Sequence, residues 1–595
     1  MPVTDSLKKV LDDIERNHNH SWYEEIYQRN KQTLSDVALL YRGTKITYDE
    51  MFERMRKYAR SLKELGINST NEIPVCMSNT PEFVYLLGAI SLIGAKINVF
   101  SQDYRPDYIT KIIEECDTNI VFVEDSNYLK LSNLIPASQI EHIVMFSMSC
   151  SLSDDSKEYE NYNERYEGFT RNIEKYASED SRIISIESFA GLGESFEGEI
   201  FGNAHLDDVF SITYSSGTTS DTPKPIVHAV RSFITIGRCH DPEIQKTASM
   251  KKFVIQATIP TFSNADVISS ISDSLMQGAC VALEPVYDED FFIDSLIINK
   301  PTYVVATTSF WIKTFKKILF DPRYNDVKLP ELFIPFAVGE GLSRGEERLI
   351  NKGLAKVKAG RNRVPLPFSV VKMSVAGGDC EHGGIFWLVF RALQAKKIGN
   401  WKNAVPGLQA FKMVEYAVLD KNGHHCKPYE YGRLVANSPC TMKEYKNNEK
   451  ATKEFFISDA SGKIWGNCNV YSYIDNMGGI HMKGRIPENE DEIPCFKISD
   501  VILEDYKNIM SCETVSIGDV KVAHIELSPF TSKDSKTIIG NMVDRCQKKL
   551  GSEECSKIYY RIHSCEEGFK LTHSGKRDTR SLIEEGISGY CMGKS

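Results

Sequence analysis

The loop Ser215-Ser216-Gly217-Thr218-Thr219-Ser220-Asp221-Thr222-Pro223-Lys224 gathers six Ser/Thr hydroxyls, one glycine and one lysine. The alternating run Val209-Phe210-Ser211-Ile212-Thr213-Tyr214 leads into it and reads as a strand. Hydroxyls and exposed backbone N–H groups at a strand end can wrap phosphate oxygens. A lysine then adds a mobile positive charge to the same anion. A Ser/Thr-rich loop can also be a plain connector. Residue order, not composition, must decide between these two. The common NTPase phosphate loop is excluded, because Gly-x-x-x-x-Gly-Lys-Ser/Thr does not occur in the chain.

Such a loop needs a sheet behind it, and the chain predicts one. Ile46-Thr47-Tyr48 is a short extended run, after which Asp49 is expected to cap a helix. That helix has apolar positions at Met51, Met55, Tyr58, Ala59, Leu62 and Leu65 and stops at Gly66. Val75-Cys76-Met77 and Ile120-Val121-Phe122-Val123 read as buried strands. Asn79-Thr80-Pro81-Glu82 opens another helix with a cap and a first-turn proline. Strand-helix alternation of this kind predicts an α/β fold with parallel sheet. Tyr303-Val304-Val305-Ala306 extends the pattern. Residues 154–181, charged and dotted with tyrosines, read as a solvated surface insertion.

A chain of 595 residues exceeds one core and predicts two or more domains. An acidic, turn-rich link, Pro487 to Glu492, follows Arg485. About a hundred residues with their own strands come after it, including Val520-Lys521-Val522-Ala523-His524-Ile525. The boundary is therefore set between 1–485 and 486–595. Net charge is -10, which argues against a general nucleic-acid binder. The apolar stretch from Phe83 to Ala95 is too short for a membrane span and reads as a core helix. No signal peptide is visible, and the fifteen scattered cysteines include no Cys-x-x-Cys pair. Reduced thiols and a cytoplasmic location are expected. His424-His425-Cys426 lacks a second pair at metal-binding spacing and reads as a loop.

The order of residues around Thr218 resembles the phosphate loop of the adenylate-forming enzymes: acyl-CoA synthetases, peptide-synthetase adenylation domains and luciferases. Further segments resemble that family in family order. They are Ile46-Thr47-Tyr48-Asp49-Glu50, Asn79-Thr80-Pro81-Glu82, Val338-Gly339-Glu340-Gly341-Leu342, Gly378-Asp379-Cys380-Glu381, Gly484-Arg485 and Leu571-Thr572-His573-Ser574-Gly575-Lys576. The resemblance implies a large N-terminal domain of parallel and mixed sheets with helices. A small mobile α+β C-terminal domain would bring the catalytic lysine.

What the resemblance implies for the residues follows from the reaction. Adenylation joins a carboxylate to the α-phosphate of ATP and expels pyrophosphate, so two anions must meet and positive charge must be supplied. Lys576 would touch the carboxylate and the α-phosphate. Ser215, Ser216, Gly217, Thr218, Thr219 and Lys224 would hold the outer phosphates. Gly339, Glu340, Gly378, Asp379 and Cys380 would border the nucleotide, and Arg485 would contact ribose or phosphate. Thr218 and Glu381 would offer oxygens to Mg²⁺. His228 and His382 flank these motifs as packing or pocket residues. Residues 259–268 would line part of the acid pocket. Ser263 follows Phe262 where amino-acid-activating members carry an aspartate, which favours a non-amino acid, with Asp266 keeping the question open.

The chain also departs from the family. Its phosphate loop is one residue longer and has Pro225 in place of a glycine. Gly377 stands for the adenine-stacking tyrosine, and Cys380 for threonine. Cys468-Asn469-Val470 stands for Thr-Gly-Asp, whose aspartate grips the ribose. Valine cannot accept those bonds, leaving Asn469 as the nearest polar side chain. Losing the charged contact costs on the order of 1.5–3 kcal/mol. Pro487 occupies the hinge position, and Cys495 replaces the glycine that opens the pantetheine tunnel.

The leading expectation is an AMP-forming ligase that activates a small carboxylic acid with ATP and Mg²⁺. The acyl group would pass to coenzyme A or to a separate carrier protein. A non-thiol acceptor such as an amine, and a catalytically degenerate nucleotide-binding homologue, are the alternatives.

Overall fold

The structure is a computed structural model. It describes residues 5–16, 20–153, 169–215, 222–244, 253–363, 371–389, 408–409, 414–476, 478–485, 493–565, 568–572, 574–587 and 590–591. Two large sheets of mixed strand direction dominate. One runs, edge to edge, through Glu444–Tyr445, Pro225–Ala229, Val209–Tyr214, Lys96–Val99, Glu72–Cys76, Ile120–Glu124, His142–Phe146 and Ile183–Ser185. Its interior is parallel, with Val75 opposite Phe122 and Ile97 opposite Ser211. The other centres on the parallel strands Ile334–Val338, Tyr303–Thr307, Val254–Ala257 and Cys280–Leu283, with Ser374–Asp379 beside the first of them. Near-continuous Val/Ile/Ala runs form these strands because both faces are buried.

Helix Pro81–Ile93 is buried at every residue, and its apolar positions join the largest hydrophobic cluster. Burial of each large apolar side chain contributes roughly 1.5–3 kcal/mol. Thr80 caps the helix and Pro81 opens it, as the sequence predicts. The cap of Tyr48–Glu64 differs from expectation. Thr47, not Asp49, is the capping residue, its hydroxyl accepting from Glu50 N while the Glu50 carboxylate returns to Thr47 N. A reciprocal pair satisfies two terminal amides, which a lone aspartate two positions later cannot do.

The surface-insertion reading of 154–181 needs correction where the structure describes it. Ile173–Glu179 is a helix that buries Ile173 and Tyr176 in an apolar cluster beside Tyr128. Residues 154–168 lie outside the described residues.

A third sheet, Glu415–Leu419, Gly432–Asn437, Ile464–Ile474 and Phe456–Ser458, with Ile480–Arg485 on the long strand, precedes residues 486–492, which lie outside the described residues, as does Pro487. After them, Ile509–Ile517, Val520–Leu527, Ile558–His563 and Tyr590–Cys591 form a fourth sheet. Its apolar cluster with helices Cys495–Ile502 and Ser535–Leu550 is separate from the main core. Among the described residues no helix is long and apolar enough to cross a membrane. The thirteen cysteines whose side chains are described are free thiols.

Candidate functional site

Strands Val209–Tyr214 and Pro225–Ala229 are antiparallel neighbours, so the Ser/Thr loop is a hairpin connection with a closed neck. Ser215 N donates to Lys224 O at 2.9 Å, and Lys224 N donates to Ser215 Oγ at 2.8 Å. Tyr108 OH holds the exit by donating to Pro223 O at 2.7 Å. Ser216, Gly217, Thr218 and Thr219 lie outside the described residues. The Lys224 ammonium stands 5.0 Å from the centroid of the Tyr445 ring. Tyr445 is on the edge strand that pairs with Pro225–Ala229.

The Tyr445 hydroxyl donates to Glu381 Oε1 at 2.7 Å. Glu381 sits in the turn after Ser374–Asp379, with its backbone carbonyl accepting from Met442 N at 2.6 Å. Burial raises the pKa of its carboxyl, and the charge of Asp379 raises it further, against the hydrogen bond from Tyr445. The Cys380 carbonyl accepts from Asn264 Nδ2 at 3.1 Å and faces His228 Nε2 at 2.8 Å. Burial lowers the pKa of His228 to about 4, so its ring is neutral and its Nε2–H points at that carbonyl. Asp379 Oδ1 accepts from His382 N at 2.8 Å and lies 2.7 Å from His382 Nδ1. Both histidines are thus buried anchors of this turn.

The Lys576 turn comes from the other end of the chain. Thr572 N donates to Lys576 O at 2.7 Å and Gly575 N to Thr572 O at 2.8 Å. The turn docks on the second large sheet, where Thr307 Oγ1 donates to Gly575 O at 2.6 Å. Glu340 binds main-chain amides on both sides, accepting from Arg577 N at 2.6 Å and from Ser309 N at 2.9 Å. The Lys576 side chain lies across Gly339, where a Cβ would stand 2.8 Å from Lys576 Cε and 3.5 Å from Nζ. Gly339 also has φ of +76°, so a side chain there is disfavoured on both counts. The ammonium acts electrostatically on the Cys380 thiol: burial pushes that thiol up to about 11, and Lys576 pulls the other way.

Sequence reasoning missed Arg577 and Tyr445. The Arg577 guanidinium pairs with Glu346 and stands 3.5 Å from Glu513. Burial opposes its charge, but Glu346, Glu340 and Glu513 outweigh that and raise its pKa. Adjacency to Lys576 is the only signal that singles it out in sequence. Tyr445 has none, because its partners are 64 and 221 positions away.

Asn469 is exposed, at φ of +54°, with its N–H on Asn467 Oδ1 at 2.9 Å. Its neighbour Cys468 turns inward to Asp379. Gly378 pairs with Ile385 near the end of its strand. Arg485 pairs with Val470 across the ladder, and its side chain lies outside the description. Of the acid-pocket segment, Ile259 O accepts from Asn79 Nδ2 at 2.8 Å, Thr261 Oγ1 donates to Met77 O at 2.5 Å and Phe262 O accepts from Tyr214 N at 3.3 Å. The segment therefore sits between the ends of two strands of the first sheet and the Cys380 turn. Asp266 is fully buried, and burial raises its pKa well above the carboxylate range.

A family model described as AMP-binding enzyme matches residues 26–446. The chain is 21% identical to 2-succinylbenzoate–CoA ligase of Bacillus licheniformis over 90% of its own length and 94% of that protein. It is 23% identical to 4-coumarate–CoA ligase CCL1 of Humulus lupulus, covering 87% of each. The fold is similar to that of the anthranilate CoA ligase AuaEII solved with anthranoyl-AMP, with a TM-score of 0.72, 15% identity and coverage of 95% and 97%.

Proposed function

This chain belongs to the AMP-binding enzyme family, and on that premise we propose that it is an AMP-forming acid–thiol ligase. The carboxylate of a small organic acid attacks the α-phosphorus of ATP, pyrophosphate leaves, and the acyl-adenylate then acylates the thiol of coenzyme A. The named ligase relatives support the CoA acceptor over a carrier protein.

One observation supports this reading above the rest. Lys576, from the last hundred residues, reaches the end of Ile334–Val338 and is felt at Cys380, beside Glu381. A cation is thus brought to the carboxylate-bearing turn, next to the segment read as the acid pocket. That is where negative charge builds up between two reacting anions. Lys224 provides the second cation at the neck of the phosphate loop. Residues 1–485 are read as the adenylating domain and 486–595 as the domain that presents Lys576.

Glu381 is a hard oxygen donor oriented by Tyr445, which suits Mg²⁺. With Thr218 it would hold the ion, whose chemistry is to screen the triphosphate charge. Burial disfavours the charged form of Asp266, which makes it a poor partner for an ammonium group and supports an acid without one. The test is ATP-dependent pyrophosphate release across a panel of aryl and alkyl carboxylic acids, with Mg²⁺ and with coenzyme A, an amine, both or neither as acceptor. Release with acyl-CoA formation is expected. Release with an amide product in place of the thioester would move the acceptor to an amine, and no release with any acid would leave a nucleotide binder.

A further inference from the structure

Three side chains of metal-ligating type meet beside the Glu381 turn: Asp379, read above as bordering the nucleotide, His382, an anchor of the turn, and Cys468. One ligand atom each from Asp379, His382 and Cys468 lies within 4.8 Å of the other two. Asp379 and His382 belong to one turn. Cys468 arrives from Ile464–Ile474, more than eighty positions later. His382 and Cys468 are buried and Asp379 is half-buried. Room for the imidazole is built in: a side chain at Gly466 would collide with His382 Nε2.

The donor set is a thiol, an imidazole and a carboxylate. Zn²⁺ takes these three at about 2.0–2.3 Å in tetrahedral geometry, which spaces ligand atoms roughly 3.3–3.8 Å apart. The present spacing brackets that range, and the 2.7 Å contact from Asp379 to His382 need only lengthen. A thiolate selects against Mg²⁺, so this site and Glu381 differ in the ion they take. On binding, the Cys468 proton leaves to solvent. The Asp379 and Cys468 anions then balance the dication, and His382 ligates through Nδ1 as a neutral ring. The carbonyl of Ala436 lies on the ring's other side and favours a proton there, the outer contact that orients a ligating histidine. Three protein ligands leave a fourth position for water. The other such group, His524, His563 and Glu585, already has a cation: Arg561 Nη2 is 3.0 Å from Glu585 Oε2.

We propose that Asp379, His382 and Cys468 form a Zn²⁺ site, distinct from the Mg²⁺ position at Glu381. The proposal does not rest on adenylating activity. Full-length protein stripped with chelator is titrated with Co²⁺ and, separately, with Zn²⁺. One ion per chain is expected, with a thiolate-to-cobalt charge-transfer band that Cys468→Ser abolishes. Zn²⁺ affinity should fall at least tenfold in Cys468→Ser and in His382→Asn, while Lys576→Ala keeps it. X-ray absorption of the zinc-loaded wild type, which needs no variant to fold, should show one sulfur and otherwise nitrogen or oxygen neighbours. Absence of the sulfur neighbour, or a charge-transfer band unchanged in a folded Cys468→Ser protein, overturns the site.

Discussion

Tyr445 donates its hydroxyl to Glu381 Oε1 at 2.7 Å while its ring faces the Lys224 ammonium at 5.0 Å. One aromatic side chain thus joins the ammonium at the neck of the Ser/Thr loop to the carboxylate of the facing turn. Tyr445→Phe keeps the ring and removes the hydroxyl. A lost hydrogen bond to a charged group costs about 1.5–3 kcal/mol, so the Mg²⁺ requirement for pyrophosphate release should rise at least tenfold. Tyr445→Ala should do more, since the ring is lost too. An Mg²⁺ titration of release by both variants checks the order.

Lys576→Ala removes the cation that the proposed reaction places at the site of charge development. Adenylation should fall about 10²–10³-fold, as for loss of one preorganised donor, with no change in melting temperature. Arg577→Met acts differently. It leaves Glu346, Glu340 and Glu513 without their shared counter-ion, a loss of about 3–5 kcal/mol where the partner charges stay buried. Thermal melting should separate the two variants.

Gly339→Ala puts a methyl group against Lys576 Cε at a position with φ of +76°. The turn must shift, so adenylation should slow by tenfold or more while ATP binding by calorimetry changes little. Equal losses in both would place the effect elsewhere.

Glu82 offers a pH test of stability. Burial raises its pKa to about 7, against the Ser151 hydroxyl that donates to it at 2.5 Å. A raised carboxyl pKa favours the folded state when protonated. Its contribution is full below the unfolded value near 4.5 and is lost as pH rises through about 7. Glu82→Gln should therefore be nearly neutral at pH 5 and stabilising at pH 8, by up to about 3 kcal/mol. Urea midpoints at both pH values decide it.

The motifs readable in the sequence lie at strand ends, where local pattern and turn residues fix the backbone. Lys224, Glu381 and Lys576 each follow a short apolar strand or close a glycine turn, so each could be located before the fold was seen. The bridges between them could not. Tyr445 to Glu381, Glu340 to Arg577 N and Cys468 to Asp379 join residues 64 to 237 positions apart or on separate strands, and local periodicity is blind to such pairs. The helix at Tyr48 shows a subtler failure. Thr47 and Asp49 are both good capping types, and only the return contact from Glu50 selects between them.

Glu340 holds the lysine turn by the peptide N–H of residue 577 on one side and of residue 309 on the other. Any amino acid except proline supplies that donor. The side chain at 309 can therefore drift over evolutionary time without loosening this clasp, whereas the one at 577 also balances the Glu340 charge and a change at Glu340 alone undoes it.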